Sequence, residues 1–294
     1  MQSEIKPKVE KHLKELVEDG VTVIKNGVSA EQVLAVREQF KAFADLNGDF
    51  FHKHLDADGH YPRIINLHLA FQPLLDLFTQ NAVALGVQDA FFGRESSIYT
   101  TLYYERGSAQ PVHRDTPYFA TRPEYNYLGV WVALEDANAR NGCLNVIRKG
   151  HLVAEFDREQ MALQHYDSLD AVPAASNILW DAYQQRVTDC CSELGLKVER
   201  VEVEAGDTVI WHPQLPHGGS EIEDITRSRH SLVIHVTPVG VPVYHQDVFF
   251  NPTKAVPIKA AWDYKDHGGR KYAVHPQVEF AHRDPTAPSA FRQL

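Results

Sequence analysis

Between residues 97 and 237 the chain is a succession of short runs of strand formers broken by turn signals, and this limits its fold more than any other feature. The runs fall at 98–104, around His113, and at 127–134, 143–147, 197–203, 208–211 and 230–236. Short strands at such spacing predict a barrel or sandwich, mainly β with flanking helices. The interval 150–195, with Pro173 and scattered polar residues, reads as a part-helical insertion between strands. Ahead of this core, residues 4–18 have helical spacing, Gly20 ends that helix, and 21–24 reads as a short strand. Ser29-Ala30-Glu31-Gln32 is a capping-box pattern, and the helix after it should bury Val33, Val36, Phe40 and Phe43. Residues 46–62 read as a loop and 63–66 as an extended piece. Residues 71–85 read as one helix, with Pro73 in its first turn and Gly86 as its stop. From Pro238 onward no period is visible, which predicts an irregular surface segment. The expected organisation is one domain over 1–294: a helical support (1–96), a β core (97–237) and an irregular C-terminal segment (238–294).

Charge and cysteine usage narrow the partners. The formal net charge is −10 with no long Lys/Arg run, which argues against nucleic acid or an anionic membrane. No apolar run approaches the length of a membrane span, and the first residues lack the apolar core of a signal peptide. Cys143, Cys190 and Cys191 are odd in number with two adjacent, which is neither a disulfide framework nor a zinc-knuckle spacing. These features suggest a reduced, cytoplasmic protein; a homodimer is compatible with them.

The chemistry gathers around Val112-His113-Arg114-Asp115-Thr116-Pro117-Tyr118. If this stretch is extended, His113 and Asp115 point to one side, since side chains alternate along a strand. An imidazole and a carboxylate are two thirds of the face that holds Fe(II) and leaves positions open for O2 and a substrate. A further histidine must come from another strand. His217 lies 217 − 115 = 102 residues beyond Asp115, and His212 is the competing candidate, although in Trp-His-Pro it reads more simply as a packing residue. A strand opened by Arg229 puts Arg229, Ser231, Val233 and His235 on one face. A 2-oxo acid chelating such a metal leaves a far carboxylate that suits the planar, always-charged fork of an arginine. Arg227 reads as a solvated loop residue, His235 as a core histidine, and Tyr103 and Tyr104 as core aromatics.

Together these pieces resemble the phytanoyl-CoA dioxygenase family of Fe(II)/2-oxoglutarate oxygenases. The resemblance rests on His113-Arg114-Asp115, Tyr118-Phe119, Arg122-Pro123, 131–136, 141–147 with Gly150-His151, Gly206-Asp207-Thr208-Val209 with His212-Pro213, His217-Gly218, and Arg229. It implies a double-stranded β-helix, or cupin-like jelly roll. It implies Fe(II) on His113, Asp115 and His217, and 2-oxoglutarate on Arg229, with Trp131 and Leu102 lining the cosubstrate pocket. It places Arg63 where some members carry a basic residue near that pocket. It implies a dioxygenase using O2 and 2-oxoglutarate, most simply a hydroxylase, that releases succinate and CO2. In related halogenases a small residue replaces the carboxylate, so Asp115 points to oxygenation. Arg114 stands where the phytanoyl-CoA enzymes carry Gln. Lys149-Gly150-His151 replaces a Gly-Ser-His turn, and Gly219 stands where a hydroxyl residue can occur. These departures argue for a small metabolite or natural-product intermediate over an acyl-CoA; were the substrate an acyl-CoA, the cations near 265–271 would be the candidate phosphate site. A non-catalytic, metal-binding cupin-like module is also compatible with the motifs, and a zinc hydrolase is less well supported by them.

Overall fold

The computed structural model describes residues 2–256, 262–275, 277–281 and 290–293. Its N-terminal part runs α1 (Gln2–Asp19), β1 (Val21–Ile24), α2 (Ala30–Leu46), α3 (Gly48–Phe51), β2 (Arg63–Ile65), α4 (Pro73–Thr79) and α5 (Ala82–Phe92). The β core begins with β3 (Ser96–Tyr104), β4 (Ala120–Thr121), β5 (Leu128–Ala133) and β6 (Leu144–Val146). An excursion through α6 (Arg158–Leu163) and α7 (Asn177–Glu193) precedes β7 (Glu199–Val201), β8 (Thr208–Trp211), β9 (His217–Gly219) and β10 (Ser231–Pro238). The chain closes with β11 (Val243–Tyr244), α8 (Gln246–Phe249), β12 (Tyr264–His267), β13 (Arg270–Ala273), β14 (Gln277–Ala281) and β15 (Ala290–Gln293).

Two sheets face each other. The main sheet runs β1-β8-β5-β10-β3-β2-β14-β15, and a smaller sheet runs β7-β6-β9. His113 adds a bridge to His217 at the free edge of β9. The chain thus crosses between the sheets in jelly-roll order, with β3-β10-β5-β8 on one side and the His113 bridge, β9, β6 and β7 on the other. The sandwich stays open and no barrel closes. Alternation sorts the side chains of the main sheet. Leu128, Val130 and Val132 of β5 pack outward with Ile210 and Ile234 against α2, α4 and α5. Trp131 and Ala133 face inward with Val209, Trp211, Leu144 and Val201. The apolar interior fills one end of the space between the sheets and leaves a cavity at the other.

The capping box of α2 forms as the sequence requires: Ser29 Oγ accepts from Gln32 N–H, and Gln32 Oε1 accepts from Ser29 N–H. Four expectations are corrected. The helix expected over 71–85 is two helices, broken where the Asn81 side chain accepts from Ala84 N–H and starts α5. Gly86 lies inside α5, where a Cβ would sit 2.6 Å from Val9 of α1; its role is close helix packing, and Gly93 in the left-handed region is the stop. Residues 46–62 are not all loop, since α3 and the turn His52–His54 bury Phe51 and His54 among Phe40, Tyr61 and Phe280. The C-terminal segment is not irregular either. The hairpin β12–β13 packs along β3, and β14 pairs with β2, extending the main sheet. Among the described residues no helix is long and apolar enough to cross a membrane.

Candidate active site

A cavity of about 680 Å³ opens between the sheets, and His113, Asp115, His217, Arg229, Trp131, Leu102 and Arg63 all line it. His113 and His217 exchange backbone hydrogen bonds, His113 N–H to His217 O at 2.8 Å and the reverse at 2.9 Å, which sets their rings 4.9 Å apart. Asp115 does not join them by strand alternation. Its backbone is helical (φ −70°, ψ −20°) and leads into the one-turn helix Thr116–Tyr118, so a turn swings the carboxylate back toward the two rings. The donor atoms of the three residues lie within 4.8 Å of one another.

The protonation pattern suits a cation. His113 donates from Nδ1 to the Pro111 carbonyl at 2.7 Å, and His217 donates from Nδ1 to the Leu215 carbonyl at 2.9 Å. With Nδ1 engaged in this way, Nε2 of each ring is left as the ligand atom, as in metal-ligating histidines. Those Nε2 atoms lie 3.2 and 3.3 Å from the Asp115 carboxylate oxygens. Lone pairs that face each other at this distance need positive charge between them. Burial works to raise the Asp115 pKa. The imidazoles gathered around the carboxylate, His217 foremost, outweigh it and hold the carboxyl well below its usual range. The residues present therefore fit a divalent metal with two imidazoles and one carboxylate.

His235, expected as a core histidine, enters this site. Its Nε2 donates to Asp115 Oδ2 at 3.0 Å, and its ring stacks on Phe119 at 4.0 Å. It lies outside the group of three convergent donors, so it grips the carboxylate from the side. Its place on the Arg229 face of the strand was the available signal. A His235→Phe variant keeps the stacking and loses the donor. Its affinity for Co(II), titrated by absorbance, is expected to fall about 10–100-fold, as when outer partners of metal ligands are removed. His235→Gln should restore part of the loss, and an unchanged affinity in His235→Phe would show that Asp115 needs no such support.

Arg229 is buried, donates to the Gly142 carbonyl at 3.1 Å, and lies 5.4 Å from the Trp131 ring and 5.8 Å from the Tyr104 ring. It shares the cavity wall with Val233 and Leu102. The competing candidates fall elsewhere. His212 packs against His151 and Phe91, with burial pushing its pKa down to about 3, and Arg227 lies in the loop after Asp224. Tyr103 is buried core, whereas Tyr104 lines the cavity.

The departures from the family pattern prove structural. The Arg114 side chain points away from the cavity into α7 and the 150–153 turn and does not line it. His151 donates to the Val17 carbonyl of α1, and Gly150 packs on Pro216. At Gly219 a Cβ would meet Ser108 Oγ at 2.7 Å and Ala109 N at 2.8 Å, so the 108–109 backbone excludes a hydroxyl residue there. Of the cations near 265–271, Arg270 makes two bonds to Asp89, at 2.9 and 2.7 Å, and Lys271 pairs with Asp266 at 3.1 Å. Residues that sequence reasoning missed close the far side of the cavity. Tyr118 lies tilted against Trp180 at 5.0 Å, and Tyr99, Asn66, Asn177, His245, His275 and Glu279 also line it. Trp180 and Glu279 lie in segments without a readable period.

Several known proteins are similar to this chain. The bovine peroxisomal phytanoyl-CoA dioxygenase is 31% identical over 114 residues, 39% of this chain and 29% of that protein. A Caenorhabditis elegans phytanoyl-CoA dioxygenase domain-containing protein 1 homolog is 24% identical over 188 residues, 63% of this chain and 59% of its own length. The matches thus span less than two thirds of these relatives. Among solved structures, the non-heme alpha ketoglutarate dependent epimerase SnoN from nogalamycin biosynthesis superposes with a TM-score of 0.59 at 16% identity, covering 91% of this chain and 98% of that one. EctD from S. alaskensis, solved with 2-oxoglutarate and 5-hydroxyectoine, gives 0.56 at 14% identity over 78% and 76%. At such identities the likeness is one of fold. The model of the phytanoyl-CoA dioxygenase (PhyH) family matches residues 16–231, well over half of the sequence, and the chain belongs to this family of Fe(II)- and 2-oxoglutarate-dependent oxygenases.

Proposed function

We propose that the protein oxidises an unactivated C–H bond of a small metabolite or natural-product intermediate, most simply by hydroxylation, using Fe(II), 2-oxoglutarate and O2. The observation that carries this reading is the convergence of two Nε2 lone pairs and one carboxylate in a cavity whose wall holds the Arg229 guanidinium. His113, His217 and Asp115 would hold the metal, leaving one face open. When bound, the iron and its 2-oxo acid supply the oxidising chemistry: R–H, 2-oxoglutarate and O2 give R–OH, succinate and CO2, with one oxygen atom entering the substrate and one the succinate.

The chain's own residues hold these reactants in register. Arg229 presents a fork to the distal carboxylate of 2-oxoglutarate, and Trp131 lies near the guanidinium. Leu102, Leu144 and Val233 offer apolar surface to the methylenes and displace water. Low dielectric around the pair strengthens it. His235 fixes the Asp115 carboxylate, and Tyr118 and Trp180 wall the substrate side. Free Cys143, Cys190 and Cys191 accord with a reducing, cytoplasmic setting.

The test is oxygen-dependent conversion of 2-oxoglutarate to succinate by the Fe(II)-loaded protein. Each charge-assisted bond to Arg229 contributes roughly 1.5–3 kcal/mol, so Arg229→Ala should raise the KM for 2-oxoglutarate on the order of a hundredfold. Iron affinity should stay near that of wild type. An unchanged KM would place the cosubstrate elsewhere.

A further inference from the structure

The cavity carries two half-buried charges that the metal and cosubstrate chemistry leaves over, Arg63 and Glu279. We propose that they receive the head group of a zwitterionic, amino-acid-type substrate, with its carboxylate on Arg63 and its ammonium on Glu279. This rests on the oxygenase reading above and moves Arg63 from the cosubstrate to the substrate.

The inner face of the main sheet is the cavity floor. Val233 of β10 stands opposite Leu102 of β3, Leu102 opposite Ile65 of β2, and Ile65 opposite Glu279 of β14. All four line the cavity. At roughly 4.8 Å per strand, Glu279 lies about 10 Å from Leu102 across the floor. Arg63 precedes Ile65 by two residues, shares its face, and stands opposite Ala281. Arg63 and Glu279 are therefore diagonal neighbours, a relation that separates backbones by about 7–8 Å and lies within reach of long side chains.

Charges of opposite sign so placed would ordinarily pair. Here they do not, either with each other or with any other described residue, and neither side chain has a hydrogen-bond partner among the described residues. Half-buried charges held apart on a cavity wall incur desolvation without compensation. A ligand bearing both signs a few bonds apart would satisfy the two together. An anionic ligand would satisfy Arg63 and be repelled by Glu279, and an amine would meet the reverse.

The rest of the cavity agrees with a compact substrate. Its described lining holds two cationic side chains other than histidine, Arg63 and Arg229, which is poor provision for the phosphates of a CoA ester. The same lining includes Asn66, whose Oδ1 accepts from Thr100 at 2.7 Å, and Tyr99. The head group is held on β2 and β14, two and three strands away from β10, the strand that carries His235 toward Asp115. The carbon presented to the metal therefore belongs to the side chain of the substrate and not to its α-carbon.

The experiment measures succinate formation by the Fe(II)-loaded, full-length protein with a panel of free L-amino acids. Each is compared with its N-acetyl and methyl-ester forms, and acyl-CoA esters serve as the contrast. The expected result is that a free amino acid raises succinate formation several-fold over the substrate-free rate, while its N-acetyl and ester forms do not. For that amino acid, Glu279→Gln should raise KM about a hundredfold with a smaller change in kcat, and should lose discrimination against the N-acetyl form. Arg63→Gln should lose discrimination against the ester. The anaerobic absorption of the Fe(II)–2-oxoglutarate complex is recorded in parallel. Its absence in wild type would overturn the oxygenase reading and this proposal with it. Its presence with no response to any zwitterion, or with unchanged selectivity in both variants, would overturn the substrate assignment alone.

Discussion

Replacing His217 with alanine is expected to abolish stoichiometric Fe(II) binding and reduce 2-oxoglutarate turnover to background while the protein stays folded. The two effects should coincide because one lone pair serves both. His217 lies on β9, where its backbone bonds to His113 hold the bridge whatever the side chain. The substitution therefore removes a donor and a ring lying tilted 4.5 Å from Trp211 without unpairing the strand. Outer partners of metal ligands already account for about 10–100-fold in affinity, so loss of a direct ligand should exceed that range. Metal analysis after gel filtration, with succinate measured on the same sample, checks it. A variant that kept one equivalent of iron and wild-type turnover would show that the metal sits elsewhere, with His212 the first residue to examine.

The second large effect is on stability. Arg114 stands between the two ligands of the metal loop, fully buried, and ties three segments together. Its guanidinium donates to the Gly150 and Val153 carbonyls at 2.8 and 3.2 Å and to the Tyr183 hydroxyl at 3.4 Å. Its backbone N–H and carbonyl are both bonded by the Gln184 side chain, at 2.8 and 2.9 Å. Arg114→Ala leaves buried carbonyls without donors and opens a cavity beside α7. A loss of about 3–5 kcal/mol is expected, as when one partner of a buried charged network is removed. The midpoint of urea unfolding should fall accordingly. A change under about 1 kcal/mol would mean that water or a neighbouring side chain replaces the guanidinium. The side chain points away from the cavity, so the folded fraction should retain its affinity for iron.

How much of this was legible in the sequence follows from what each feature depends on. That His113, Asp115, His217 and Arg229 share one cavity could be expected because metal and oxo-acid chemistry restricts the residue types that can serve and because the motifs resemble those of the family. The strands of the core could be read because alternate residues must face the helices or the interior. The break between α4 and α5 was hidden because the apolar period runs unbroken across it, and only the Asn81 side chain, capping α5, marks the change. Gly86 resembled a stop, but its small size answers to Val9 on a distant helix. In β14 the alternation exists, with Val278 and Phe280 buried and Glu279 turned to the cavity, yet a strand so short among polar neighbours gives no usable period. Asp115 reached its position by a turn, although the alternation argument pointed to the same side.

The most direct test of the central claim is an anaerobic titration of the metal-free protein with Fe(II) and then 2-oxoglutarate, followed in the visible range. The account predicts a weak charge-transfer band that needs both additions, saturates at one equivalent of each, and forms only at much higher 2-oxoglutarate in Arg229→Ala. A folded wild-type protein that binds iron and gives no band with 2-oxoglutarate would contradict it.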